Sequence, residues 1–339
     1  MKAHRDTHRP RRGLATAAAL AAIALLAACG GVEGGGGEKS GDSDFPTKAV
    51  EITVTSSPGG STDLIGRGIA KSMEKPLGES VVVVNKEGGN GAVGGKEVAG
   101  SKPDGYKVAV MPQSLFAIGP LTEKDAGALK VDDMTSVAPL SIEDYVLVVP
   151  AKSPVKTLDD LLAKGSIKYG TTGPGTGSQI AQALLFASAK VKATDVPFDG
   201  GAPLVTAVLG AQVDAGATQV AESLGQIRAK KLRPLAVFSK ERLEFLPDVP
   251  TAVESGHEIV VDQRRWLAGP KDMDAAALKK LQASVEKAKS DPAYRELLKK
   301  NSITSWEGGG DVIEPQVAQA REQYSELAKK FGVSLSGSS

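Results

Sequence analysis

The chain has 339 residues but a single cysteine, Cys29, and three histidines, of which His4 and His8 lie close to its start. One cysteine excludes an internal disulfide. With His257 alone in the body, most nucleophile–base pairs and His/Cys metal sites cannot be assembled. A carboxylate-only or Ser-Lys active site remains open, but no such residues stand at a diagnostic spacing. Charge of one sign is also lacking. The 41 basic and 40 acidic side chains nearly balance, and five of the basic residues and one acid fall in the first 28 positions, which leaves about −3 on the rest. That excludes a basic stripe for nucleic acid and a polybasic membrane patch. No run beyond the first 30 residues is apolar enough to span a membrane, and there is no heptad repeat or RNA-binding motif. The composition points to binding rather than catalysis, with no cofactor.

What the chain does have begins at its start. Lys2, Arg5, Arg9, Arg11 and Arg12 precede an apolar run from Leu14 to Ala28, which ends Leu26-Ala27-Ala28-Cys29. A basic segment, a short apolar segment and small residues at a cleavage point make a secretory signal. The run falls short of the roughly 20 apolar residues of a spanning helix. Its ending resembles the lipobox of bacterial lipoproteins, in which the cysteine takes a lipid and becomes the new N-terminus. Residues 1–28 are therefore expected to be removed, Cys29 to be lipidated, and the protein to work outside the cytoplasm, anchored to the cell membrane. Arg11-Arg12 leaves twin-Arg export open beside the general route. Residues 29–44, rich in glycine, read as a flexible linker, and residues 333–339 as a flexible tail.

The body alternates strand and helix signals. Val50 to Thr55 is β-branched and alternating, Pro58-Gly59-Gly60 breaks it, and Ser61 or Thr62 is placed to cap a helix running to about Leu77. Val81 to Val84 reads as a buried parallel strand, followed by the loop Asn85–Gly91, a short helix towards Gly100, and a strand from Tyr106 to Met111. A further strand spans Val146 to Val149, and Thr157 caps a helix. The pattern then restarts with a strand at Ile167–Gly170, the loop Thr171–Gly177 and a helix at Ser178–Ala189. Strands ending at Phe198, Ala217 and Phe238 come next, and the chain closes with helices at Ala275–Lys289 and Pro315–Phe331. Two such series predict an α/β fold with two lobes, each a mostly parallel sheet flanked by helices, with a cleft between them. Lobe 1 is expected from 45–149 plus 265–332 and lobe 2 from 150–264, with crossovers near Pro150 and Trp266.

Three glycine-rich loops, Pro58–Thr62, Asn85–Gly91 and Thr171–Ser178, each follow a strand and precede a helix, the position where α/β sheets bind ligands. Backbone N–H groups at a helix N-terminus attract anions. Candidate ligand-binding residues are Gly59, Gly60, Ser61, Thr62, Asp63, Gln113, Ser114, Thr172, Thr176, Gly177, Ser178, Gly201 and Gln219. None of the loops carries arginine, so an anion would be held by directed dipoles rather than a full charge. Asp63 and Arg67 are spaced as an i,i+4 pair. Either Arg264 or Arg265 could reach a distal carboxylate, and the other is expected to face solvent, because neighbours in a strand point to opposite faces. Neither Gly-x-Gly-x-x-Gly nor a Walker loop is present, since Gly173–Ser178 lacks the lysine.

These loops resemble the substrate-binding proteins of tripartite tricarboxylate transporters, the Bug family. The resemblance rests on Pro58-Gly59-Gly60-Ser61-Thr62-Asp63 with Arg67, and on Val81–Asn85 with its loop ending Gly94-Gly95. Val98-Ala99-x-x-x-Pro103-Asp104-Gly105-Tyr106, Gly173–Ser178, Val196-Pro197-Phe198-x-Gly200-Gly201-x-Pro203 and Gly210-x-Gln212-Val213-Asp214 continue it in order. The chain departs from the family at Gln179–Gln182, where a histidine is common, and at Phe198-Asp199-Gly200, where Tyr-Lys-Gly is usual. The resemblance implies a two-lobed, periplasmic-type binding protein without enzymatic activity. Such a protein would be a monomer that captures a small organic carboxylate and hands it to the membrane subunits of a transporter. Two alternatives stay open, a lipoprotein that senses a ligand and signals to a receptor, and a secreted α/β hydrolase. The second would need a Gly-x-Ser-x-Gly elbow, and Gly175-Thr176-Gly177-Ser178-Gln179 lacks the closing glycine. One thiol carries the whole attachment, so Cys29→Ser should move the protein from the detergent phase to the aqueous phase on detergent partitioning. Unchanged partitioning would remove the lipoprotein reading.

Overall fold

The computed structural model describes residues 44–122 and 128–334. The signal segment, Cys29, the linker up to residue 43 and the tail from residue 335 lie outside the described residues. In chain order the first half contains β1 (Val50–Val54), α1 (Ser61–Leu77), β2 (Val81–Asn85), α2 (Ala92–Ala99) and β3 (Lys107–Pro112). The short helices α3 (Gln113–Ala117) and α4 (Gly119–Thr122) lead to the long strand β4 (Met134–Pro150). The second series is α5 (Leu158–Leu162), β5 (Ser166–Thr171), α6 (Gly177–Ser188), β6 (Lys192–Pro197), α7 (Gly201–Leu209), β7 (Ala215–Gln219), α8 (Val220–Arg228) and β8 (Leu232–Val237). The chain then returns through β9 (Asp262–Pro270), α9 (Ala275–Lys289), α10 (Pro292–Lys300), β10 (Thr304–Ser305) and α11 (Ile313–Phe331).

The strands run β2-β1-β3-β9-β4-β7-β5-β6, with β8 and β10 also paired to β4. The two ends of this series are parallel, β2-β1-β3 in one lobe and β7-β5-β6 in the other. The middle is antiparallel, where β9 joins β3 to β4. Strand β4 belongs to both lobes. It pairs with β9 as far as Asp144, and from Tyr145 and Val146 onward with β7 and β8. The sequence shows only Val146–Val149 of this strand, because Ser141, Glu143 and Asp144 interrupt its apolar pattern. The expectation of a buried strand at Val81–Val84 also changes. β2 is the edge of the sheet, paired only to β1, and Val82 is 49% exposed.

Helix α1 shows how packing fixes these elements. Ile65, Ile69, Met73 and Leu77 recur at helical spacing and are buried against Ile52, Val54 and Val110, each such side chain contributing about 1.5–3 kcal/mol. Gly78, in the left-handed region, ends the helix by donating its N–H to Glu74 O at 2.9 Å. Lobe 2 has its own apolar cluster around Val146, Leu204, Val208 and Val237. A third cluster runs through both lobes. It joins Met111, Phe116 and Trp266 to Ile180, Leu184 and Phe186 through Ile313, Val317 and Tyr324 of α11. The cap expected at Thr157 is present, as a reciprocal pair with Asp160. Among the described residues no helix is long and apolar enough to cross a membrane.

At the point where β4 changes partners, Asp144 stands opposite Asp262 of β9. Like charges opposite each other in a ladder destabilise it. Burial first, and the Asp262 charge second, push Asp144 up to about 6, against the pull of Arg264. A carboxyl whose folded pKa is raised binds its proton more tightly when native, so its contribution is fully favourable below about pH 4 and is lost as pH rises through about 6. Asp144→Asn should therefore stabilise the protein at pH 8 by something on the order of 2–3 kcal/mol and confer no gain near pH 4. Melting temperature against pH for the two proteins measures this, and parallel curves would contradict it.

Candidate functional site

Six helices start at the carboxyl ends of parallel strands, α1, α2 and α3 in lobe 1 and α6, α7 and α8 in lobe 2. Residues at or just before the first turn of each line one cleft of about 840 Å³ between the lobes. This follows from the order of elements, since βα loops of one sheet all emerge at the same edge. Their N–H groups and helix dipoles give the cleft a positive backbone potential. The lobes touch across it, where Asn90 Nδ2 donates to Gly175 O at 2.7 Å and accepts through Oδ1 from Ser114 Oγ at 2.9 Å.

The floor on the lobe 1 side is a buried charge pair. Arg265 of β9 is 2% exposed and pairs with Glu143 of β4. Its Nε donates to Thr62 Oγ1 at 2.8 Å, and Ser61 Oγ donates to Glu143. Burial lowers the guanidinium to about 9. Ser61 and Thr62 therefore do not cap α1. Their hydroxyls are spent on the ion pair, and Gly60 stands at the cap position with no side-chain bond. The cleft also contains a full positive charge, on Arg265, one of the two arginines that the sequence offered for a distal carboxylate. It comes from a strand rather than from a glycine-rich loop, and Glu143 neutralises it.

On the lobe 2 side, Tyr145 donates to Gln263 Oε1 at 3.4 Å, and its phenol is held protonated by burial first and by the nearby Glu222 charge second. Gly177 faces this ring. A Cβ there would come within 2.5–2.7 Å of it, so the glycine seats Tyr145. Glu222, three residues into α8, accepts the Gln219 N–H at 3.3 Å, and the Ser61 N–H acts on it from lobe 1. Burial raises it to about 7.

Of the thirteen candidate residues, Gly60, Ser61, Thr62, Ser114, Thr172, Thr176, Gly201 and Gln219 line the cleft. Five do not. Ser178 is fully buried and donates to Ala217 O at 2.6 Å, within lobe 2. Gly177 packs on Tyr145, and Gln113 turns to Asp262 at 3.2 Å. Asp63 orders the first loop instead, accepting from Gly59 N–H, Arg67 and Asn85. These contacts hold its carboxyl below the usual range in spite of burial. The residues that sequence reasoning missed are Asn90, Glu143, Tyr145, Glu222 and Gln263. Two of them left a signal, Asn90 by its place in the glycine-rich loop Asn85–Gly91 and Glu222 by the spacing Gln219-x-x-Glu222 of a capping box. Arg264 does point the other way, to Asp262 at 3.0 Å and over the Trp306 ring. Among the described residues, no three His, Cys, Asp or Glu side chains come together as metal ligands.

The sequence model of the tripartite tricarboxylate transporter family receptor, TctC, matches residues 65–333. The chain belongs to this family. It is 31% identical over 258 residues to a UPF0065 protein encoded in the TAR-I ttuE-ttuC' intergenic region of Agrobacterium vitis, covering 73% of each chain. Among solved structures it is similar to the periplasmic binding protein BugD, at 28% identity and a TM-score of 0.80 over 86% of this chain and 99% of that one. It is also similar to MatC from Rhodopseudomonas palustris with bound malate, at 27% identity and a TM-score of 0.78, over 84% of this chain and 99% of that one. The family consists of extracytoplasmic solute-binding receptors rather than enzymes, and the two-lobed α/β fold is theirs.

Removing the guanidinium would leave Glu143 buried and uncompensated. Arg265→Met should lose about 3–5 kcal/mol of stability in urea denaturation, and adding Glu143→Gln should recover part of that loss. A single variant as stable as the parent would mean that the pair is not the anchor of the first loop.

Proposed function

We propose that this protein is a lipid-anchored receptor that captures a small organic carboxylate in the cleft and delivers it to the membrane subunits of a tripartite transporter. The observation that carries the reading is the convergence of six helix N-termini on one cleft whose only deep cation among the described residues, Arg265, is already neutralised. An anion there is held by backbone N–H groups and by the hydroxyl of Thr172 rather than by a charge, which allows release as well as capture. Family membership and the malate in MatC support a carboxylate. The signal segment and Cys29 support anchoring outside the cytoplasm. The lobes, drawn at 45–149 plus 265–332 and 150–264, would close on the ligand by bending β4 and β9, the strands they share.

A panel of mono-, di- and tricarboxylates tested by thermal shift should contain at least one stabilising compound, since a ligand at about 100 times its dissociation constant adds roughly 2.7 kcal/mol. Gly60 provides the control. A Cβ there would meet only Ser57 O, at 3.7 Å, so Gly60→Val should fold while its side chain fills the first loop's approach. Calorimetry with the stabilising compound should show binding weakened at least about tenfold, or 1.4 kcal/mol. Normal binding by this variant would exclude the first loop from the site.

A further inference from the structure

The Glu222 carboxylate lies where a ligand's carboxylate would be best held. It sits at the start of its own helix α8, bonded to the Gln219 N–H. The first residue of α1, Ser61, directs its N–H at it from the other lobe. It also lies against the first residue of α7, since a Cβ on Gly201 would come within 2.0–2.2 Å of the carboxylate carbon and oxygens. Three helix N-termini from two lobes thus surround an acid belonging to the protein, and α7 opens with a glycine where any side chain would displace it. Glu222 lines the cleft and remains partly accessible from it.

Among the described residues no cation answers this acid. Arg265 is engaged with Glu143 and Thr62, and Lys96 sits exposed at the rim together with the acids Glu87 and Asp199. Deep in the cleft the described charges are therefore one guanidinium and two carboxylates. A ligand bearing only carboxylates would add negative charge beside an unpaired negative group. A ligand with a protonated amine would set that amine against Glu222 and leave its carboxylate to the loop amides and hydroxyls. Burial raises the Glu222 carboxyl, and a protonated amine beside it would favour its charged form.

We propose that Glu222 sets ligand specificity, as the counter-charge for a ligand that carries a protonated amine beside its carboxylate, an amino acid being the simplest case. This rests on the carboxylate reading above and narrows it. The test is calorimetry on the full chain with pairs that differ only by an α-amino group, namely succinate and aspartate, glutarate and glutamate, propionate and alanine, and phenylpropionate and phenylalanine. In at least one pair the amino member should bind the parent protein tenfold or more tightly than its partner. Glu222→Gln keeps an oxygen for the Gln219 N–H and should abolish that preference, with little change in melting temperature. A purely capping role would leave the preference unchanged in this variant. If Glu222→Gln does not fold, Glu222→Asp draws the charge back by one methylene and should reduce the preference at least threefold. A parent protein that prefers the amine-free members, or a preference that survives the substitution, overturns the proposal and leaves carboxylate capture intact. If no member of any pair binds and the wider carboxylate panel also fails, the carboxylate reading itself falls.

Discussion

The buried pair of Arg265 and Glu143 is the constraint on which the site is built. Two adjacent central strands supply the charges, and the first turn of α1 supplies the hydroxyls that complete them. Taking two ions out of water costs several kcal/mol each, so the arrangement holds only while its hydrogen bonds are made. The first ligand loop is therefore not a free turn. It is bonded through Ser61 and Thr62 to the strands that join the lobes.

This division of labour explains a feature of the lining. Hydroxyl protons that would serve a ligand are spent on structure at Ser61, Ser178 and Thr176, the last of which caps α6 and donates to Gly173 O at 2.7 Å, while the Thr62 oxygen accepts from Arg265. What remains for a solute is mostly backbone, in a fixed geometry that substitution changes little. Chemical selectivity then falls to the few side chains whose polar ends reach the space, Glu222, Gln219, Asn90 and Tyr145 among them.

Much of the fold was legible in the chain. The alternation of strands, glycine-rich turns and capped helices placed both parallel series, and the reciprocal cap at Thr157 appeared as its spacing demanded. Three of its readings depended on partners distant in sequence and failed for that reason. Ser61 and Thr62 have the composition of helix caps, and only the approach of Glu143 and Arg265 redirects them. The polar residues of β4 conceal a strand because they serve the cleft and the joint between the lobes rather than a core. The valine run of β2 reads as buried, but its place at the sheet edge is set by topology. The two arginines were legible in part. Alternation required them to diverge, and nothing local said which one would turn inward.

Thr62 and Arg265, whose hydrogen bond closes the first loop, are 203 positions apart. The strands of the first lobe are likewise completed from far down the chain, where β9 pairs with β3. A growing polypeptide can form β1, α1 and β2 early, yet it cannot bury the ion pair or seat the loop until β9 has been made. Contacts of such separation form slowly. The nascent chain therefore stays incomplete, without a finished ligand site, until most of it has been synthesised.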